Sequence, residues 1–157
     1  MMGEALAEAE AAARRGEVPV GAVVLSPDGR VLARAGNEVE AGDASAHAEL
    51  LAMRRAAAAL GTPRLLGCTL VVTLEPCPMC AGACVHFRVA RVAFGAYDPK
   101  GGGVEHGPRV FGAPGCLHRP EVVGGVRERE CAAMLRGFFQ GLRGDPASPS
   151  PCGRGSG

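Results

Sequence analysis

A chain of 157 residues has room for one compact catalytic domain and excludes a second. With 47% hydrophobic and 21% charged residues it is globular rather than disordered in composition, and a net charge of +1 gives bulk electrostatics no preference for nucleic acid, although a local basic patch can sit inside a neutral total. Seven cysteines, an odd number with Cys77 and Cys80 in one tight Cys-x-x-Cys, argue against a fully paired disulfide framework and point to reduced thiols.

The N-terminal residues 2–15 are strong helix formers with Leu6 and several alanines on one side, which predicts an amphipathic helix stopped by Gly16 and Pro19. Glu4, Glu8 and Glu10 break up this run, so it lacks the apolar core of a signal peptide. No later stretch reaches the roughly 18 apolar residues of a membrane span. The expectation is a soluble cytoplasmic protein with no membrane partner.

Residues 18–25 and 30–34 are β-rich runs joined by Ser26-Pro27-Asp28-Gly29, where Pro presets φ and Gly permits positive φ; together they predict a hairpin. A polar stretch follows, in which Asp43 or Ser45 is placed to cap a helix over 47–60 that Gly61-Thr62-Pro63 ends. Residues 69–74 form a short β-branched run of the buried-strand kind, closed by Glu75-Pro76, and a second helix begins around Cys77.

A strand over 89–94 leads into a Gly-rich loop over 95–115, long enough to predict a functional segment. A short strand over 121–126 and a helix over 128–142 complete a domain spanning 1–143, and the Pro/Ser/Gly-rich 144–157 reads as a disordered tail. Strands alternating with helices imply an α/β fold in three α/β/α layers around a central mixed sheet of about five strands.

The chemistry concentrates in His47-Ala48-Glu49 and Pro76-Cys77-Pro78-Met79-Cys80, each placed where a loop or strand gives way to a helix. Cysteines three apart on a first helical turn present both sulfurs on one face, within reach of one tetrahedral zinc. A helix N-terminus carries free N–H groups and partial positive charge, which favour the thiolate that zinc requires. Pro78 suits the first helical position, where its missing N–H costs nothing.

Adding His47 makes three protein ligands and leaves one position for water, the arrangement of a catalytic site. A closed structural site with Cys84 or another histidine as fourth ligand is the alternative, and it leaves Glu49 without a role. Glu49 is two residues from His47, and helical positions i and i+2 do not face each other, so it reads as a proton carrier rather than a ligand. The bland reading of Glu49 is a solvated helix face. Cys68, Cys116, Cys131 and Cys152 read as small buried hydrophobes.

These residues resemble the His-x-Glu and Pro-Cys-x-x-Cys pattern of the cytidine-deaminase-like superfamily. Within it the chain is similar to the bacterial tRNA-specific adenosine deaminases. The similarity runs through Glu17-Val18-Pro19-Val20-Gly21-Ala22-Val23, Asn37, Ala46 to Glu49, Thr73 to Ala83, Arg91 to Ala96, Asp98-Pro99-Lys100, His118-Arg119, Glu130 to Ala133 and Phe138-Phe139. The resemblance implies the cytidine-deaminase-like fold, one zinc ion per subunit, a homodimer, and a tRNA anticodon stem-loop whose wobble adenosine becomes inosine.

It further implies that Asn37 meets the extruded purine, that Val18, Ala48 and Leu74 surround it, and that Asp98, Lys100, Phe138 and Phe139 lie near the anticodon loop. The alternatives for these residues are a turn for Asn37, core for Val18 and Leu74, a loop acid for Asp98 and helix packing for the phenylalanines. The chain departs from the family pattern in a loop between Asn37 and His47 about one residue short, in Tyr97 where arginine is more usual, and in the run from Gly102 to Gly107. A deaminase acting on free guanine or cytidine shares the same metal ligands and is the competing reading.

Overall fold

The computed structural model describes residues 1–144; the tail expected over 144–157 lies, from residue 145 on, outside the described residues. Along the chain it forms α1 (Met2–Arg14), β1 (Gly21–Leu25), β2 (Val31–Gly36), α2 (Ala48–Leu60), β3 (Thr69–Leu74), α3 (Pro78–His86), β4 (Arg91–Ala96), β5 (Glu121–Val123) and α4 (Glu128–Gly144). The sheet has the order β2-β1-β3-β4-β5. β1 pairs antiparallel with both β2 and β3, and β3, β4 and β5 run parallel, so the sheet is mixed and five-stranded as expected.

The alternation of side chains along a strand divides the core in two. Ala22, Val24, Leu70, Val72, Val92 and Phe94 face one side and pack with Ala52, Met53 and Ala56 of α2 and Ala81 and Cys84 of α3. Val23, Leu25 and Val71 face the other side and pack with Met2, Ala5 and Leu6 of α1 and Cys131 of α4. The buried residues of α1 recur as Met2, Ala5, Leu6, Ala9 and Ala12, the 3.6-residue period of one helix face. This is a three-layer α/β/α arrangement.

Several boundaries move for local reasons. The first strand starts at Gly21 rather than 18, because Pro19 has no N–H to donate and the N–H of Val20 turns back onto the carbonyl of Val18 at 2.8 Å. β5 stops at Val123 rather than 126, where Gly125 takes φ of 79° and the N–H of Val126 bonds to Phe94. The Gly-rich loop holds a short 3-10 turn at Val110–Gly112. Neither Asp43 nor Ser45 caps α2; Asp43 accepts from the N–H and hydroxyl of Ser45 instead, and His47 is the N-cap.

Gly21 marks the tightest contact between α1 and the sheet. A Cβ there meets the carbonyl oxygen of Ala5 and the nitrogen of Ala9, both of them backbone atoms that cannot swing away. Gly21→Ala is expected to cost about 1–3 kcal/mol of stability, as over-packing does, read as a lower urea midpoint at unchanged slope.

Among the described residues no helix is long and apolar enough to cross a membrane.

Candidate metal centre

The donor atoms of His47, Cys77 and Cys80 all lie within 4.8 Å of one another. His47 Nδ1 stands 3.5 Å from Cys77 Sγ and 3.6 Å from Cys80 Sγ. A tetrahedral zinc ion, with Zn–N and Zn–S bonds near 2.0 and 2.3 Å, spaces nitrogen and sulfur by about 3.5 Å. The donor types and their spacing therefore fit zinc. Among the described residues this is the one such group, and neither Cys84 nor Glu49 belongs to it, so the closed four-ligand alternative has no fourth protein donor here.

Each ligand is placed by a helix start. His47 is the N-cap of α2 and Cys77 the N-cap of α3, both with extended backbone, while Pro78 is at the first helical position and Cys80 lies within the first turn. This corrects the helical argument from the sequence: His47 lies outside the helix, so i,i+2 spacing does not describe its relation to Glu49. Glu49 lies on the buried face of α2 with Ala52, Met53 and Ala56, and the three-donor group does not include it. At 4% exposure it is no solvated helix residue.

Burial pushes the Glu49 carboxyl up to about 7, against the lowering effect of its own backbone N–H and of His47. Cys77 is held down to about 4, chiefly by the thiol of Cys80 donating to it, with burial opposing and His47 assisting. Cys80 is pushed up by the same bond and by burial. His47 is raised by its bond to Cys77, which outweighs burial. Two thiols and an imidazole gathered around one point are donors that suit zinc.

Asn37 meets the start of α2, beside His47, by a contact the sequence does not show. Its Oδ1 accepts the N–H of Ala48 at 2.8 Å, replacing the cap expected from Asp43 or Ser45. The same residue is tied down by its N–H on Val20 and by Arg15 on its carbonyl. With Oδ1 engaged, the side chain offers its NH₂ donors. Ala48 is fully buried, and half-buried Val18 and Leu74 pack against the same core.

Asp98 folds its Oδ1 back onto the N–H groups of Lys100 and Gly101, and Lys100 is exposed. Phe138 and Phe139 meet edge to face at 5.4 Å on α4, which packs on β4, β3 and α1, and Phe139 is 41% exposed. The structure therefore does not gather the phenylalanines with the metal group. Of the other cysteines, Cys68 and Cys131 are buried as expected, Cys116 is half-buried and donates to the carbonyl of His118, and Cys152 lies outside the described residues.

One residue near the centre was missed in the sequence. Glu75 is buried, with its side chain wholly out of solvent, and it accepts hydrogen bonds from Asp98, Val104, Glu105 and His106. Burial raises its carboxyl, and these donors more than reverse that, leaving it below its ordinary value. Its position immediately before Pro76-Cys77 was the available signal, and it read only as a strand end.

The family model of the cytidine and deoxycytidylate deaminase zinc-binding region matches residues 1–96. The tRNA-specific adenosine deaminase of Agrobacterium fabrum is 52% identical over 142 residues, 90% of this chain and 93% of its own length. The tRNA(Ile)-lysidine synthase of Deinococcus radiodurans is 53% identical over 143 residues, and this chain spans only 24% of that longer protein. A solved structure from studies of A-to-I editing by tRNA:A34 deaminases at the wobble position of transfer RNA matches with a TM-score of 0.83 at 52% identity. That match covers 85% of this chain and 97% of the other.

Proposed function

The chain belongs to the cytidine and deoxycytidylate deaminase zinc-binding family, and from that premise we propose that it hydrolytically deaminates adenosine to inosine at the wobble position of a tRNA anticodon. The observation that carries the chemistry is the convergence of His47, Cys77 and Cys80 beside a buried Glu49 that is not one of the ligands. The RNA substrate is supported by the relatives at 52% identity.

His47, Cys77 and Cys80 hold one zinc ion per subunit. Zinc bound there supplies a Lewis acid that brings the pKa of water toward neutrality. Glu49 takes a proton from the attacking water and delivers it to N1 of the adenine as the C6–O bond forms. It then moves the second water proton to the exocyclic nitrogen, so that the C6–N6 bond breaks, ammonia leaves and C6 keeps a carbonyl. A carboxyl whose burial raises its proton affinity suits both halves of that transfer.

An adenine inside a folded anticodon loop has to be extruded to reach this centre. Val18, Ala48 and Leu74 form the walls that exclude water around it, and Asn37 donates to it through Nδ2. Asp98 and Lys100 meet the flanking backbone, and Phe138 and Phe139 offer faces to neighbouring bases. The working unit is a homodimer of single deaminase domains, acting in the cytoplasm where tRNA is available.

Asn37→Asp separates the two jobs of Asn37. The carboxylate keeps an acceptor for the N–H of Ala48 at a helix N-terminus, where it is favoured, but it has no donor. The thermal midpoint is expected to hold while kcat/KM falls about tenfold or more, and a variant with wild-type kcat/KM removes Asn37 from the base contact.

The class of substrate is tested by offering the protein an anticodon stem-loop with a wobble adenosine beside free guanine, adenosine and cytidine. Inosine is expected in the RNA alone. Deamination of free guanine or cytidine without RNA turnover replaces this reading with a small-molecule deaminase.

A further inference from the structure

The Gly-rich loop after β4 is not draped loosely beside the metal centre; it is wound around one buried anion. Glu75 Oε2 accepts the N–H groups of Val104, Glu105 and His106 at 3.2, 2.8 and 3.0 Å. Oε1 accepts the N–H of Asp98 at 3.0 Å and the imidazole Nδ1–H of His106 at 2.8 Å. Five donors from one loop thus converge on a side chain that belongs to the strand end leading into Cys77. His106 in turn is held edge to face against Tyr97, at 6.1 Å between centroids.

The loop has no slack between these anchors. A Cβ at Gly102 meets Glu75 Oε2, and one at Gly103 meets the nitrogen and Cα of Pro78 at 2.6 and 2.7 Å. The N–H of Gly103 also bonds to the carbonyl of Pro76 at 2.8 Å. Gly103 therefore lies directly on the backbone that starts α3, next to a metal ligand. An ionised carboxylate is acceptor-only, so it can gather several N–H groups that no sheet or helix satisfies.

We propose that Glu75 and His106 are positioning residues: the buried carboxylate, closed over by the imidazole, clamps the Gly-rich loop onto the first turn of α3 and thereby sets where Asp98 and Lys100 are presented. Asp98 is the first anchor of the clamp, since its N–H is bound by Glu75 and its Oδ1 organises Lys100 and Gly101. The consequence for RNA binding rests on the function proposed above. The clamp itself does not. His106 is the adjustable part, because its ring is partly exposed while Glu75 is sealed in.

The test uses the full chain and the variants His106→Ala, His106→Asn and Glu75→Gln. Amide hydrogen exchange over residues 98–106 is expected to quicken about tenfold or more in His106→Ala, with zinc content unchanged, as a lost charge-assisted bond permits. On the anticodon stem-loop the same variant should raise KM about tenfold while kcat stays within about twofold. His106→Asn, whose amide restores a donor toward Glu75, should recover most of both effects. Glu75→Gln should loosen the loop further, and if it fails to fold, the His106 pair decides alone.

Unchanged exchange over 98–106 in His106→Ala overturns the clamp. So does a loss confined to kcat, or an asparagine variant that behaves like the alanine variant. If the wild-type protein makes no inosine in the stem-loop, the functional reading fails, and exchange alone then decides the clamp.

Discussion

Glu49→Ala is expected to retain one zinc ion per chain and a near-normal fold, and to lose turnover by at least the 10²- to 10⁴-fold typical of an acid/base residue. The expectation follows from its separation from the ligand set: the three donors that fit zinc are complete without it. Glu49 occupies the buried face of α2, so truncation removes a carboxyl that burial has already made costly to ionise. Stability should consequently change little or rise slightly. Metal analysis, thermal unfolding and turnover of a wobble-adenosine stem-loop, measured on one preparation, check all three parts. Near-normal turnover removes Glu49 from proton transfer, and loss of zinc makes it a ligand after all. Glu49→Gln, which keeps the shape and removes the proton-accepting oxygen, is expected to lose nearly as much.

Cys80→Ala is expected to abolish zinc retention and bring activity below detection. Cys80 is wholly buried, whereas His47 and Cys77 are partly exposed, so its loss leaves two donors on the solvent side and an apolar hole behind them. The stability effect is the more informative one. The ligands come from the N-termini of two helices, α2 and α3, that are joined in sequence only through the strand between them. A metal that binds the folded state at about 1,000 times its Kd adds roughly 4 kcal/mol. Wild-type protein stripped with a chelator should therefore show a thermal midpoint lower by several degrees, restored with activity when zinc is returned. In Cys80→Ala neither zinc nor chelator should move the midpoint. Retention of stoichiometric zinc by that variant excludes Cys80 as a ligand.

Much of the fold was legible because its signals are local. The β-branched run at 69–74 matches β3 residue for residue, and Ser26-Pro27-Asp28-Gly29 does join β1 to β2. The strand ends were misplaced where a single tight hydrogen bond at Val20 or a left-handed glycine at Gly125 interrupts an apolar run that itself continues. The cap of α2 was misassigned because a side chain ten residues before its N-cap, Asn37, takes the place of nearer candidates. Spacing rules see neighbours along the chain, and a cap needs only a neighbour in space.

The same division runs through the site. Donor type and a three-residue spacing are properties of one helical turn, and so Cys77, Cys80 and the chemistry they favour could be read directly, with His47-Ala48-Glu49 as their natural complement. That His47 Nδ1 comes within 3.6 Å of both sulfurs is a different kind of fact, because it depends on a sheet order that sets the starts of α2 and α3 side by side. Glu75 shows the limit most plainly. Its partners are 23 to 31 residues away, on a loop without regular structure, and only the packing of that loop against α3 turns a strand-end carboxylate into an anchor. Chemistry carried by residues close in sequence survives translation into one dimension; an anion's choice of distant backbone donors does not, because nothing in the intervening chain encodes the distance that closes.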